Sequence, residues 1–126
     1  MPNYSGMWTL QAQMQAAGQG LWSITPITGM WSWGSGANGQ TGQNDRVARS
    51  NPTQIGTLTT WTSVSAGYND GFAIKSDGTL WGWGKNNWGQ LGLNDTVTRS
   101  SPVQVGSSAT WVKVITANVF SMAISN

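Results

Sequence analysis

The chain has 126 residues, of which 17 are glycine and nine tryptophan, with 8% charged side chains, a formal net charge of +2 and neither histidine nor cysteine. One domain fits that length, and the missing residue types exclude disulfides, thiolate nucleophiles, imidazole bases and Cys/His zinc sites. Glutamate is absent as well, so carboxylate chemistry would rest on Asp45, Asp70, Asp77 and Asp95 alone, and the composition points away from an enzyme, a metal site or a cofactor.

The first segment, residues 1–28, reads as a lead-in that docks the chain onto something else. Trp8 to Ala17 contains no Gly or Pro, and Leu10, Met14 and Ala17 form a narrow apolar stripe at helical spacing. Gly18 and Gly20 then stop the expected short helix. A degenerate half-repeat is the alternative, because Leu21-Trp22-Ser23-Ile24 stands fifty residues before Gly71-Phe72-Ala73-Ile74. Met1–Met7 has neither the basic region nor the apolar core of a signal peptide, and no apolar run approaches the ~20 residues of a membrane span.

From Gly29 onward the chain repeats itself. Shifting Gly29–Ser76 by fifty positions onto Thr79–Asn126 makes 19 of 48 positions identical without a gap, which marks a repeat architecture. Trp31/Trp81, Trp33/Trp83, Gly39-Gln40/Gly89-Gln90, Asp45/Asp95, Arg49/Arg99, Pro52/Pro102 and Trp61/Trp111 are among the matches. The units are 29–78 and 79–126. In each, Leu80-Trp81-Gly82-Trp83-Gly84 or its counterpart alternates indoles with small residues, so both indoles leave one face of a strand. The glycines between them leave room for another backbone on the opposite face. Asn86-Asn87-Trp88-Gly89 and Asn94-Asp95 are turn chemistry. Pro102 belongs at the start or edge of the strand reaching Gly106, and Trp111–Ile115 and Phe120–Ile124 complete about four short strands per unit. Four-stranded blades arranged radially follow.

Asp77-Gly78-Thr79-Leu80-Trp81-Gly82-Trp83-Gly84 followed by Gly89-Gln90-Leu91-Gly92 resembles the signature of regulator-of-chromosome-condensation-type repeats, as do Ala66-Gly67 with Phe72-Ala73-Ile74 and Arg99–Val105. That resemblance implies an all-β propeller, seven-bladed in the best-known members of the family. The first copy departs from it at Ser32 and Thr41, and the second at Thr116-Ala117. The Gly-Trp-Arg-His-Thr motif of the family's plant ultraviolet photoreceptors has no counterpart, and the family founder's nucleotide-exchange and chromatin roles fit poorly without a basic tail. Arg46, Arg49, Lys75, Lys85, Arg99 and Lys113 form no track for phosphates, so nucleic acid is not an expected partner. Gly6-Met7-Trp8-Thr9-Leu10 with Gly20-Leu21-Trp22 resembles lead-ins of bacteriophage virion proteins, which implies a virion location.

Two repeats cannot close a propeller, which takes about four to eight blades. The last residues align with those directly before the Leu80-Trp81 strand, so Met30, Trp31 and Trp33 of another copy are expected to continue a blade from Met122 and Ile124. The expectation is a head-to-tail homo-oligomer, with a trimer of six blades favoured by analogy with phage fibres. Trp31, Trp33, Trp61, Trp81, Trp83 and Trp111 are expected to pack blades. Trp88, which replaces Asn38 in a turn, is the candidate for contact with a host surface glycan. The recurring Asp45/Arg49 and Asp95/Arg99 pairs read as loop braces, and Asp70, Lys75, Asp77, Lys85 and Lys113 as solvated turn and edge residues. The expected function is a non-enzymatic structural or adhesion protein of a phage particle, in a tail fibre, an appendage or a capsid decoration. An oligomeric lectin-like module is the alternative.

Overall fold

A computed structural model of the chain describes residues 28–126. The helix expected over Trp8–Ala17 and the half-repeat at Leu21–Ile24 lie outside the described residues. Eight strands follow: β1 (Trp31–Gly34), β2 (Arg49–Gln54), β3 (Trp61–Ala66), β4 (Asp70–Lys75), β5 (Leu80–Gly84), β6 (Arg99–Gln104), β7 (Trp111–Thr116) and β8 (Ser121–Ser125). They form one antiparallel four-stranded sheet, β3-β4-β5-β6, between two two-stranded sheets, β1-β2 and β7-β8.

The complete sheet is out of phase with the sequence repeat. Each unit supplies four strands, but the boundary between units cuts the β4–β5 hairpin. Local turn chemistry decides this. Asp77 Oδ1 accepts from the Thr79 amide at 3.0 Å, and Gly78 takes φ 82°, which a glycine adopts without penalty. The chain therefore reverses within four residues, and β4 pairs with β5 along its whole length, from Asp70 opposite Gly84 to Ile74 opposite Leu80. The longer link from β2 to β3 instead carries the chain to the next sheet.

The pairing repeats as the sequence does. Trp31 stands opposite Gln54 and Gly34 opposite Arg49 in β1-β2; fifty residues on, Trp81 stands opposite Gln104 and Gly84 opposite Arg99 in β5-β6. The same holds for β3-β4 and β7-β8, with Val64 opposite Ala73 and Val114 opposite Ala123. Pro52 and Pro102 lie inside β2 and β6, but both strands are sheet edges, where the missing amide leaves no ladder partner unserved.

Alternation along the strands separates two cores. Trp61, Ala73 and Trp83 from one face of the complete sheet pack with Met30 and Ile55 from the β1-β2 side, and Trp81 lies against them. Phe72, Ile74 and Leu80 from the other face pack with Leu91 and with Val114 from β7. Gly82 leaves room not for a second backbone, as the sequence suggests, but for a ring: a Cβ there would stand 2.8 Å from Phe72 Cε1. The flat Phe72 side chain crosses the strand pair because its opposite neighbour in the register is the glycine.

Candidate functional site: two open half-blades

The β4-β5 seam shows what a complete junction between repeats contains. Trp83 is buried, its indole lies over Gly71, and its Nε1–H donates to the Gln40 carbonyl of the β1-β2 unit at 2.8 Å. A Cβ on Gly71 would sit 2.7 Å from the indole, so glycine permits this close approach. Trp61 and Trp81 meet edge-to-face with centroids 6.2 Å apart. The Lys75 ammonium lies 3.7 Å from the Trp81 ring centroid, so Lys75 is a packing cation rather than the solvated edge residue expected from sequence.

At the two ends that seam is left open. Among the described residues β1 is bonded only to β2, and β8 only to β7. Four of the apolar residues bared there are the repeat partners of residues buried at the seam. Trp33 is 63% exposed and Trp83 3%; Val64 63% and Val114 5%; Met122 56% and Phe72 2%; Ile124 60% and Ile74 3%. A cleft of about 370 Å³ runs between β1 and β3, lined by Met30, Trp31, Trp33, Val64, Asp70 and Trp83 among others. It is the place that β3-β4 fills one repeat later.

Of the residues expected to close a junction, Trp31, Trp33, Met122 and Ile124 are exposed on the two open edges, and Met30 turns inward against Ile55. Of the expected packing tryptophans, Trp61 and Trp83 are buried, and Trp81 and Trp111 partly so. Val64 escaped sequence reasoning, although its alignment with Val114 was available. Asp70 is a correction. It is buried, not solvated, and among the described residues neither carboxylate oxygen has a hydrogen-bond partner. Asp70 Oδ1 crowds Gly67, and Thr116 Oγ1 and the Ala117 carbonyl come within 3.0 Å of where a Gly67 Cβ would be. Burial pushes the Asp70 carboxyl up to about 6.

The loops above the strands are braced by polar side chains. Arg49 pairs with Asp45, and Arg99 with Asp95, at 2.6 Å. The two aspartates also accept from the amides of Val47 and Val97 at 3.0 and 2.9 Å, and these bonds hold both carboxyls below the usual range. Asn44 and Asn94 precede them at φ 62° and 59°, a conformation that asparagine tolerates. Both pairs are therefore local braces, as their recurrence suggested. In the second unit Asn86, fully buried, adds a further tie. Its Nδ2 donates to the Asp95 backbone and side chain at 3.0 Å, and its Oδ1 accepts from the Leu91 amide at 2.9 Å. Asn86→Ala would leave the buried Leu91 amide unpaired, so a loss of about 1–3 kcal/mol is expected in urea unfolding. Trp88 projects from this loop with its indole exposed, while its amide is held by Gln90 Oε1 at 3.0 Å.

Fold and edges together define an open β-propeller segment, one whole blade flanked by two halves. The regulator of chromosome condensation (RCC1) repeat model matches residues 29–74 and 77–124, and a second model of that repeat matches 61–90. The chain belongs to the RCC1 repeat family. Similar solved structures include human WBSCR16, at 23% identity over 81% of this chain with a TM-score of 0.69. Prp20p from Saccharomyces cerevisiae, described with its binding to Gsp1p and histones, is 18% identical over 79% of the chain with a TM-score of 0.66. Yeast RCC1 (Prp20) bound to Kap60 is 25% identical over 77%, with a TM-score of 0.64. The chain spans about a quarter of each, 27%, 27% and 24% of their lengths. No curated protein sequence matches it at a significant level.

Proposed function

We propose that this chain is a non-enzymatic assembly protein whose copies join into a ring, each blade left half-built by one copy being completed by the next. The observation that supports this reading is the pairing of bare with buried residues: Trp33, Val64, Met122 and Ile124, exposed on the β1, β3 and β8 surfaces, have the buried counterparts Trp83, Val114, Phe72 and Ile74 one repeat away. Exposed apolar patches of this kind mark interaction surfaces, and unpaired strand edges add backbone groups that seek a partner. Association of unlike edges is head-to-tail and closes as a ring when the rotation allows.

Two blades per chain make a six-bladed ring from three copies, within the usual four to eight. A trimer is the proposed state. Native mass spectrometry is expected to give three times the 13.4 kDa chain, and a stable monomer at micromolar concentration would sink the reading. The narrower proposal is a structural or adhesion component of a phage virion. It is supported by the low charge and by the Gly6–Leu10 and Gly20–Trp22 lead-in, with other virion proteins as neighbours. A ring of this kind would present its Asn-, Gln- and Thr-rich loops in several copies, so weak contacts to a host surface would add up. The exposed Trp88 indole favours a lectin-like module as the second reading, since an indole offers a flat face for a sugar ring.

A further inference from the structure

The two junctions differ in sequence at facing positions, and the differences are matched. Within the chain, Phe72 lies opposite Gly82, and the glycine makes room for the ring. One repeat on, the counterparts are Met122 and Ser32. A serine would collide with a phenylalanine ring at this place, whereas an unbranched methionine can bend round it. Asp70 lies beside Thr116 and the Ala117 carbonyl, a polar set. The counterparts are Phe120 with Ala66 and Gly67, an apolar set. The changes at Met122 and Phe120 each have a complement on the β1 and β3 side of the cleft.

Resting on the assembly reading, we infer that β8 of one copy pairs antiparallel with β1 of the next in the register of the β4-β5 seam. Met122 then lies opposite the partner's Ser32, Ala123 opposite the partner's Trp31, and Ile124 opposite the partner's Met30. The occupant of the β1–β3 cleft is thus the β7-β8 hairpin of a second copy. Its Met122 and Ile124 cover the partner's Val64, as Phe72 and Ile74 cover Val114. Phe120 settles between the partner's Ala66 and Gly67. The Gln90 carbonyl takes the place of the Gln40 carbonyl that receives the Trp83 indole proton, and accepts from the partner's Trp33. Ser121 stands where Gly71 lies under Trp83, so the partner's indole rides higher above the strand than Trp83 does. The matched sets also make the junction selective. Asp70 and Phe120 are not interchangeable, so a β7-β8 hairpin fits the open cleft and not the position held by β3-β4.

The absence of cysteine in the chain makes the register directly testable. Residues directly opposite on antiparallel strands have Cα atoms about 4.5–5.5 Å apart, within disulfide reach. The full-length double variant S32C/M122C is expected to oxidise into covalent oligomers ending at a closed trimer. S32C/V97C, with the second cysteine on an exposed loop away from the edge, is expected to run as single chains. A multiple native mass without S32C/M122C cross-linking overturns the register and leaves the assembly reading standing. A monomeric mass without cross-linking overturns both. A second arm tests the matched sets by sedimentation, with circular dichroism confirming the fold. Phe120→Asp is expected to weaken association at least roughly tenfold, because the partner's Ala66 and Gly67 offer the buried carboxylate no side-chain donor. Association of F120D equal to that of the unaltered chain would refute the selective fit.

Discussion

Trp33→Ala and Trp83→Ala, the same change one repeat apart, are expected to fail in different ways. Trp83 is buried, packs on Gly71 and donates to the Gln40 carbonyl. Its truncation empties a large core site and orphans that carbonyl, so the fold should lose about 3–5 kcal/mol. For a unit of this size the melting temperature falls by at least ~12 °C. Trp33 is mostly exposed and stands on an open edge. Its truncation leaves circular dichroism and the fold of a dilute chain intact, and acts on association. A tryptophan at the centre of a junction costs about 2 kcal/mol or more, roughly thirtyfold in dissociation constant per junction. Sedimentation velocity across a concentration series, with thermal melts on the same samples, separates the two effects. If W33A associates as well as the unaltered chain, the β1 edge is not a junction.

Asp70→Asn is expected to stabilise the fold above pH 6 and to change little near pH 4. Burial raises the Asp70 carboxyl from 3.8 to about 6 in the folded state. Below pH ~4 the group is neutral folded or unfolded and exacts no cost. Between pH 4 and 6 the unfolded chain ionises first, so folding stability falls as pH rises, and it levels off once the folded group has ionised too. The shift corresponds to at most about 3 kcal/mol. Asp45, Asp77 and Asp95 have lowered values, so they act in the opposite sense, favouring the fold as they ionise at lower pH. Stability of the unaltered chain should therefore peak near pH 4. Asparagine removes the Asp70 decline and brings an amide donor to the Thr116 hydroxyl and Ala117 carbonyl beside it. Urea unfolding of both forms from pH 4 to 8 checks this; parallel profiles would show that Asp70 ionises freely.

Much of this architecture is legible along the chain because the signals involved are local. Alternation at Trp81-Gly82-Trp83-Gly84, Asp77-Gly78 as a hairpin turn, Asn94-Asp95 as a second turn and Pro102 on an edge are properties of a few neighbouring residues, and each is found as expected. The Asp–Arg pairs were legible for a similar reason, since four residues of separation suffice for Arg99 to reach Asp95. Asp70 was not legible. Its burial comes from Gly67, Thr116 and Ala117, two of them almost fifty residues away, and a lone Asp before a glycine reads as a turn. Lys75 was hidden likewise, because Trp81 reaches it only through pairing across the hairpin.

The sequence by itself determined the repeat, its fifty-residue period, the strands and the all-β propeller class, since periodicity and turn residues act within a few positions. Tertiary structure decided where one blade ends and the next begins. A repeat has no natural starting point in sequence; hydrogen bonding across the Asp77-Gly78 hairpin joins the second half of one unit to the first half of the next. That phase leaves β1-β2 and β7-β8 as two-stranded sheets on either side of the complete one. It turns Trp33, Val64, Met122 and Ile124 from ordinary core residues of a repeat into bare surface.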